Sequence, residues 1–448
     1  MQGFSDYNLK QSTSRIASLL ARLVVLRPKS RKEPFSLLLK LAKALSFGDM
    51  FEVISTYHEL TGALIKSSAR RISGDIWYDY LLSVIIEAPH EFALAAASGK
   101  HDESLYGAMR TDLSLLSALS KLSSDDLCRF MLEKQSSLKC KSPHEDSIAR
   151  SSASLWSGTP IKEPNVPAKV EVQEPLLTHA LSEIDMLSWA YDNAEVEYGY
   201  VCDEALEEIY HRFLQSDDWR SLTEDLWSFF ASYGCGEFIK YKNFSYDVSG
   251  LSPLLCLTEH ETLLPVSFYE MQHARVLEHT IAFMQGRRSE NMLVTGGASV
   301  GKTELVLSVA NDLPELRLVI CTDENASLDE LFAKLSKQPL RFMVLLDNMS
   351  ALGGYSSFSA RRKVPANVLL VATSRTKSEE ALFPVTVKLP YPSFSDFVDI
   401  IAELLAVEDI SVPKERLRAR CEDFRSESKE KLTLSAAKYI ADDYIIEF

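Results

Sequence analysis

The sequence predicts an α/β domain with a five-stranded, mostly parallel sheet in the C-terminal half, followed by a small helical lid and preceded by a mainly α-helical N-terminal region. Three observations support this fold class. Apolar residues recur at three- and four-residue spacing in the first part of the chain, short aliphatic runs alternate with helical segments after Phe268, and a glycine-rich loop joins one such run to a helix. Strands that alternate with helices are typical of parallel sheets covered on both faces.

Length and composition indicate a folded protein of several domains. The 448 residues exceed what one hydrophobic core usually serves, and 46% of them are hydrophobic and 25% charged. The net charge of −15 does not favour nucleic-acid or membrane-surface binding, which needs positive charge, although it leaves room for local basic patches. Because no window approaches about 20 uninterrupted apolar residues and the seven cysteines are scattered, we expect a cytoplasmic protein with free thiols and no membrane span.

The patterning divides the chain into five parts. We expect a helical N-terminal domain over residues 1–138, a linker over 139–174, a helical middle region over 175–264, an α/β core over 265–392 and a helical lid over 393–448. The linker gathers Ser, Pro and charge, a composition that buries too little apolar surface to offset its ordering entropy.

Five runs supply the predicted strands of the core, and three helical segments supply the lid. The strand runs are NMLVTG, LRLVICT, LRFMVLLD, NVLLVATS and VTVKLP. The lid segments are SFSDFVDIIAELLA, KERLRARCEDFRSE and LTLSAAKYIADDYI. The β-branched and aliphatic content of the runs is typical of strands buried on both faces.

The segment GGASVGKT lies between the first strand run and the helical run ELVLSVANDL, and it fits the phosphate-loop pattern GxxxxGK(S/T). Its glycines let backbone amides curl around phosphates, and the following helix offers its positive N-terminal end to an anion. Lys302 would neutralise the β- and γ-phosphates, and Thr303 would give a hydroxyl to Mg²⁺. The alternative is a glycine-rich turn that matches by chance. The predicted nucleotide-binding residues of the loop are Gly296, Gly297, Ala298, Ser299, Val300, Gly301, Lys302, Thr303 and Glu304.

An apolar run that closes on Asp347 strengthens this interpretation. We expect this strand to lie next to the strand of the loop, with Asp347 holding Mg²⁺ through water. Thr303 and Asp347 are therefore the predicted metal-site residues, and the fold class becomes a P-loop NTPase core that binds ATP and Mg²⁺.

A third strand run, NVLLVATSR, ends in polar residues at the sheet edge where α/β proteins place their ligands. Thr373 and Ser374 either orient the attacking water or cap the helix that follows.

The order of these parts resembles an AAA+-type P-loop ATPase, and more narrowly the bacterial family catalogued as domain of unknown function 815. The matching stretches are YEMQHARVLEHTIAFMQGRRSENMLVTGGASVGKTELV, LRLVICTDENASLDELFAKL, RFMVLLDNMS and NVLLVATSR. The resemblance implies an ATP-binding core with a small helical lid, and it adds Tyr269 and Gln272 to the nucleotide-binding residues.

The sequence departs from hydrolysing AAA+ enzymes at two positions of the catalytic set. Asn348 stands where such enzymes place an acid, and Arg375 stands where relatives show Asn. An amide cannot accept a proton at neutral pH, so the motifs support nucleotide binding better than turnover. The predicted catalytic residues are Asp347, Asn348, Thr373, Ser374 and Arg375. Asp323 and Glu324 are either replacement acids or solvated residues, and Arg361 and Arg362 are either fingers toward a neighbouring subunit or a solvent-exposed basic turn. Lys431 and Lys438 lie near the place where the resemblance implies a phosphate-sensing Arg, and an ammonium does not reproduce the guanidinium fork.

Three functions stay open at this point. The first is an AAA+ ATPase that couples an ATP cycle to movement of its helical N-terminal region against an unknown protein partner. Such a protein could also form a homo-oligomer. The second is a nucleotide-binding module with little or no hydrolysis that serves as an interaction scaffold. The third is a helical scaffold with a decayed loop.

Overall fold

The computed structural model describes residues 8–67, 70–139, 203–254, 267–287, 289–321, 323, 325–349, 363–375, 380, 383–428 and 431–447. The predicted linker beyond Lys139, and Glu324, Arg361 and Arg362, lie outside these residues. Within them the chain divides into two compact units. The first falls within residues 1–92, 101–198 and 204–227, and the second within 93–100, 199–203 and 228–448.

Helices form the described N-terminal half, as the periodicity predicts. They are α1 (Leu9–Ala21), α2 (Arg27–Ser30), α3 (Phe35–Phe47), α4 (Met50–Ile65), α5 (Ile76–Ile86), α6 (Glu91–Ala97), α7 (Glu103–Leu119), α8 (Ser124–Lys139), α9 (Asp203–Gln215), a 3₁₀ turn at Trp219–Leu222, α10 (Thr223–Tyr233) and α11 (Glu237–Lys240).

Aspartates begin several helices of the first unit. The carboxylates of Asp49, Asp75 and Asp102 accept backbone N–H groups in the first turns of α4, α5 and α7. These groups have no partner inside a helix, so each cap stabilises the start of its helix. Two of these caps, Asp49 and Asp102, belong to the turn segments SFGD and ASGKHDES, which therefore mark helix starts in the sequence.

The second unit alternates strands and helices. Its elements are β1 (Asn243–Asp247), β2 (Gly250–Leu254), a 3₁₀ turn at Ser267–Tyr269, α12 (Glu270–Met284), β3 (Met292–Gly296), α13 (Lys302–Asn311), β4 (Leu316–Cys321), α14 (Leu328–Leu335), β5 (Arg341–Leu346), β6 (Val368–Ser374), β7 (Val385–Leu389), α15 (Phe394–Val407), α16 (Lys414–Ser428) and α17 (Leu434–Glu447).

The sheet has seven strands in the order β2-β1-β4-β5-β6-β3-β7. Only the β1–β2 pair is antiparallel. All five predicted strands are present as β3 to β7, but the count of five is wrong because β1 and β2 extend the sheet within the stretch predicted as helical. Each of these strands has five residues; β1 buries only Phe244 and Tyr246, and β2 is a largely exposed edge strand. Strands this short and this polar produce almost no hydrophobic pattern.

Both faces of the sheet are buried, as expected for parallel strands. Along β5, Met343 and Leu345 pack into the cluster that contains α13 and α15, whereas Phe342, Val344 and Leu346 pack into the opposite cluster with α14. This alternation fixes the register of β5 and so places the residues that follow it at the carboxyl edge of the sheet.

The three helices after the sheet form the part predicted to be the lid. Helix α15 packs against α16 and α17, and a capping box begins α15, in which Ser393 and Asp396 bond each other's backbone N–H groups. Their role as a lid, like the five-part division of the chain, stays a prediction.

In the described part of the chain no single helix has the length and apolar character needed to cross a membrane. One bent pair, Ile76–Ile86 with Glu91–Ala97, satisfies these criteria only when the two helices are taken together. Cys128, Cys235, Cys321 and Cys421 are free thiols.

His90 gives the first unit a testable pH dependence. Its ring is buried and its Nε2 lies 2.9 Å from the carbonyl oxygen of Ile85. Burial is the main cause that lowers the pKa of His90 to about 4, against 6.5 in the unfolded chain, and the charge of Lys29 lowers it further. Between pH 6.5 and 4 the unfolded chain therefore binds a proton at His90 more readily than the folded chain does. Because of this difference, the free energy of unfolding should fall by about 3 kcal/mol as pH falls through this window.

Urea unfolding of wild type and His90→Gln, measured from pH 7 to pH 4, tests this expectation. The difference in stability between the two should shrink toward pH 4, while the exposed control His58→Gln should track wild type throughout. Parallel pH profiles for wild type and His90→Gln would contradict the assignment.

Candidate functional site

The loop between β3 and α13 is curled, and its backbone geometry requires glycine at defined positions. Gly301 is the N-cap of α13 with φ of 89°, and Ser299 has φ of 56°. A Cβ on Gly296 would lie 2.8 Å from the carbonyl oxygen of Leu389, and one on Gly297 would overlap the ring of Tyr391. Gly296 and Gly301 therefore stand where a larger residue would collide with the backbone or adopt a strained conformation, and the assignment of the loop to phosphate stays a prediction.

The start of α13 lies at the end of the curled loop and has glycine at its N-cap. Among the described residues no side chain caps this helix, so its first N–H groups are open to a ligand in the curl of the loop. Beside them is a cavity of about 360 Å³. The loop and helix residues that line it include Ser299, Gly301, Lys302, Thr303 and Glu304.

The other wall of the cavity comes from the carboxyl ends of β5 and β6. Asp347, Asn348, Thr373 and Arg375 line it there, so the structure brings most of the predicted catalytic and metal residues to one place. Strand β6 lies between β3 and β5. The prediction that the Asp347 strand is adjacent to the loop strand is therefore wrong, because the chain crosses over two strands before it forms β4. The inserted strand carries Thr373, whose hydroxyl also reaches Asp347.

One carboxylate oxygen joins these elements. Asp347 Oδ1 accepts hydrogen bonds from the hydroxyls of Thr303, at 2.6 Å, and Thr373, at 2.7 Å. The backbone N–H of Asn348 donates to Thr373 Oγ1 at 2.7 Å, and that of Met349 to the Thr373 carbonyl at 2.8 Å. The start of α13 and the ends of β5 and β6 are thereby fixed relative to one another.

These oxygens fit a hard divalent cation. Mg²⁺ prefers oxygen ligands and usually takes one or two protein groups together with water and substrate phosphates. A threonine hydroxyl and a carboxylate oxygen that already lie within hydrogen-bonding distance of each other form such a donor set.

Two cations approach the same space. Lys302 is 7% exposed, and its Nζ donates to the carbonyl of Gly297 at 2.6 Å. Burial, and then the nearby charge of Arg375, lower the pKa of Lys302. A polyanion in the cavity would relieve this repulsion and favour the charged lysine.

Asn348 leaves an unsatisfied acceptor at the site. Its φ of 51° is in the left-handed region, where Asn is better tolerated than most residues, and its Oδ1 is buried without a hydrogen-bond partner among the described residues. A buried acceptor without a partner is costly, so this oxygen is suited to a donor that enters with a ligand, such as water.

Several predicted residues do not line the cavity. Val300 is part of the core, Ala298 is exposed and Ser374 is buried. Tyr269 is also buried, with a hydroxyl that donates to the carbonyl of Pro390 at 3.1 Å. Burial is the main cause that raises the pKa of Tyr269.

Gln272 has a buried Oε1 with no hydrogen-bond partner among the described residues, and like Tyr269 it lies outside the cavity wall. Asp323, Lys431 and Lys438 are also outside the wall.

The sequence analysis did not identify two contacts made by residues after the sheet. Ser435, in the first turn of α17, lines the cavity, and its N–H donates to the carbonyl of Ser299 at 3.3 Å. Tyr391 lies against Gly297, and Lys431 Nζ lies 4.7 Å from the centre of its ring. Neither residue belongs to a recognisable motif, so no signal in a single sequence marks them.

Comparison with known proteins supports the sequence resemblance over part of the chain. The model of a family described as protein of unknown function (DUF815) matches residues 256–378. No curated protein matches the chain.

Solved structures give partial likenesses. The RuvB Holliday junction branch migration motor of Thermotoga maritima is 14% identical over 39% of this chain and 60% of its own, with a TM-score of 0.28. A single-residue mutant of that motor is 13% identical over 40% and 64%, with a TM-score of 0.30. PCH-2 of C. elegans is 12% identical over 42% and 70%, with a TM-score of 0.28. The chain thus spans less than two thirds of these RuvB chains, and the description as a P-loop NTPase-like fold follows from the sheet order and loop geometry above.

Thr373→Val tests whether the Asp347 network holds the site together. Valine keeps the shape of threonine but removes one donor to Asp347 and the acceptor for the Asn348 N–H. Because the N–H is left without a partner, we expect the free energy of unfolding to fall by about 1–3 kcal/mol. Urea unfolding measures this change.

Thr373→Ser is the matched control because it keeps the hydroxyl and loses only a methyl group. It should be the more stable of the two variants. Equal losses in both would show that packing, and not the hydrogen bonds, matters at this position.

Proposed function

We propose that the chain is an AAA+-like ATP-binding protein that takes ATP with Mg²⁺ at the loop between β3 and α13. The observation that carries this proposal is the pairing of Thr303 and Asp347 at 2.6 Å in the lining of a cavity that Lys302 and the start of α13 also line. These are the groups that a magnesium-bound polyphosphate requires.

Each residue has a role in this proposal. Backbone N–H groups of the loop and of α13 would hold the β- and γ-phosphates, with Lys302 and Arg375 as neighbouring cations. Thr303 and Asp347 would hold Mg²⁺ directly or through water, and the metal, when bound, neutralises phosphate charge. Thr373 positions Asp347, since its hydroxyl hydrogen is already donated to that carboxylate.

The contact between Ser435 and the loop supports a coupling to the C-terminal helices. Because the first turn of α17 bonds the carbonyl of Ser299, a ligand that changes the loop also changes the environment of this helix. We therefore include in the proposal that α15, α16 and α17 act as a lid, and that nucleotide binding alters the interaction of the helical N-terminal region with a protein partner or with further copies of the chain.

A second candidate function is a nucleotide-dependent binding module with slow hydrolysis. It is favoured by Asn348, whose amide occupies the position next to Asp347 and cannot accept a proton. Absence of a catalytic base typically costs about 10²–10⁴ in rate, whereas the groups proposed to bind phosphate are all in place.

Lys302→Ala tests nucleotide binding. Removing the ammonium deletes charge-assisted hydrogen bonds to phosphate, so we expect the Kd for ATP with Mg²⁺ to rise by about 10- to 100-fold in titration calorimetry. The control is Lys388→Ala, which removes an exposed lysine from β7 of the same unit and should bind like wild type. Equal affinity in all three proteins, or no binding by wild type, would contradict the proposal.

Asn348→Asp separates the two candidate functions. Aspartate tolerates the left-handed conformation of this position and restores a carboxylate beside Asp347. If the chain is a slow enzyme that lacks its base, phosphate release at saturating ATP should rise about tenfold or more, a conservative part of what a base contributes. Asn348→Ala keeps the position neutral and should not accelerate release. Rapid phosphate release by wild type, at a rate that Asn348→Asp does not change, would exclude the module with slow hydrolysis.

A further inference from the structure

The first unit contains two adjoining cavities that no motif marks. They measure about 850 Å³ and 440 Å³. Both lie between α1, α7 and the 3₁₀ turn at Trp219–Leu222, and they share Arg22, Ser114, Leu115 and Arg220. We refer to the two together as the basic groove.

The lining of the basic groove carries an excess of positive charge. Lys10, Arg15, Arg22, Arg110 and Arg220 line it, and no carboxylate of the described residues does. The whole chain has 63 acidic against 48 basic residues. A cluster of cations therefore differs from the acidic average of the chain. Its positive charges repel one another, and a bound anion would reduce this repulsion.

Most of these cations have no acidic partner within the part of the chain that the structure describes. Lys10, Arg22 and Arg110 form no ion pair there, and the guanidinium of Arg220 donates only to Ser114 Oγ, at 3.4 Å. All four side chains belong to exposed residues, so a ligand can reach them.

Two nearby carboxylates accept hydrogen bonds from backbone N–H groups. Asp112, on α7, is buried and accepts the N–H groups of Val24 and Leu26, each at 2.9 Å. Asp218 accepts the N–H of Arg220 at 3.1 Å. Among the described residues neither acid forms an ion pair with a cation of the groove.

Small side chains create the space and supply hydroxyl donors. Ser14 and Ser18 are one turn apart on α1, and Ser114 faces the same space from α7. The hydroxyl of Thr111 already donates to the carbonyl of Gly107, at 3.0 Å. Arginine, lysine, serine and threonine are the side chains that most often hold phosphate oxygens, and the guanidinium fork matches phosphate geometry.

The shape of the groove selects among anions. Cavities of this size suit small molecules, whereas modules for single-stranded nucleic acid add aromatic side chains on which bases stack. No described aromatic residue lines the groove. We infer that the basic groove is a second binding site, separate from the loop of the other unit, for a compact ligand that carries several phosphate groups.

Inositol hexakisphosphate serves as the probe, in titration calorimetry with the full chain carrying Lys302→Ala, so that binding at the nucleotide loop is suppressed. We expect binding in this background and a loss of affinity of about tenfold or more when Arg22→Gln and Arg220→Gln are added, since two charge-assisted hydrogen-bonding groups are removed. The control substitution Arg31→Gln removes an exposed arginine of the same unit outside the groove and should leave the affinity unchanged.

Because the substituted arginines are exposed, the variants should keep the melting temperature of the parent without ligand. A second variant, Ser18→Glu with Ser114→Glu, introduces negative charge into the groove and should abolish binding. Undetectable binding in the Lys302→Ala background, or equal affinity with and without the groove substitutions, overturns the inference whether or not ATP binding at the loop is confirmed.

The phosphate groups can belong to a soluble molecule or to a lipid headgroup. Sedimentation with phosphatidylcholine vesicles that contain phosphatidylinositol 4,5-bisphosphate distinguishes these sources. Groove-dependent sedimentation assigns the headgroup, and probe binding without sedimentation assigns a soluble ligand. If polyglutamate or a short DNA duplex displaces the probe at equal concentration of charge, the groove binds polyanions by their charge alone and the inference fails.

Discussion

The carboxylate of Asp347 is the group on which the site of the second unit depends. A single oxygen accepts hydroxyls from Thr303 and Thr373, and Thr373 in turn accepts the N–H of Asn348. Strands that are buried on both faces hold the ends of β5 and β6 in register, so these short hydrogen bonds form between elements that have little freedom to separate. The curl of the loop and the start of α13 are attached to the sheet through the same oxygen.

The charges around this carboxylate explain why binding and turnover must be considered separately. Lys302 and Arg375 face a space that Asp347 and Glu304 also line. Burial, and then the charge of Arg375, lower the pKa of the lysine. A phosphate chain would stabilise both. Proton abstraction requires a different group, and the residue after Asp347 is an amide with an unsatisfied buried oxygen. Under the proposed function these groups would hold a polyphosphate, and Asn348 would leave the site without a base next to Asp347.

In the first unit the tertiary structure brings positive charges together, although the overall composition of the chain is acidic. An acidic chain contains a groove lined by five cations because α1, α7 and a 3₁₀ turn bring together residues that are far apart in sequence. Its acids are used elsewhere, as helix caps at Asp49, Asp75 and Asp102 and as the buried acceptor at Asp112. Net charge describes the average surface, whereas a binding site responds to the groups within a few ångströms.

The sequence by itself determined the helices of the first half, the five strands β3 to β7 and the place of the glycine-rich turn between β3 and α13, because hydrophobic period and glycine spacing are local properties that backbone geometry imposes. It did not determine β1 and β2, whose five residues each carry too little pattern, or the insertion of β6 between β3 and β5, which makes Thr373 a partner of Asp347. Ser435, Tyr391 and the basic groove also depended on the tertiary structure. Each of them arises where distant segments meet, and the side chains that meet there are chosen by the packing of whole elements and not by their neighbours in the chain.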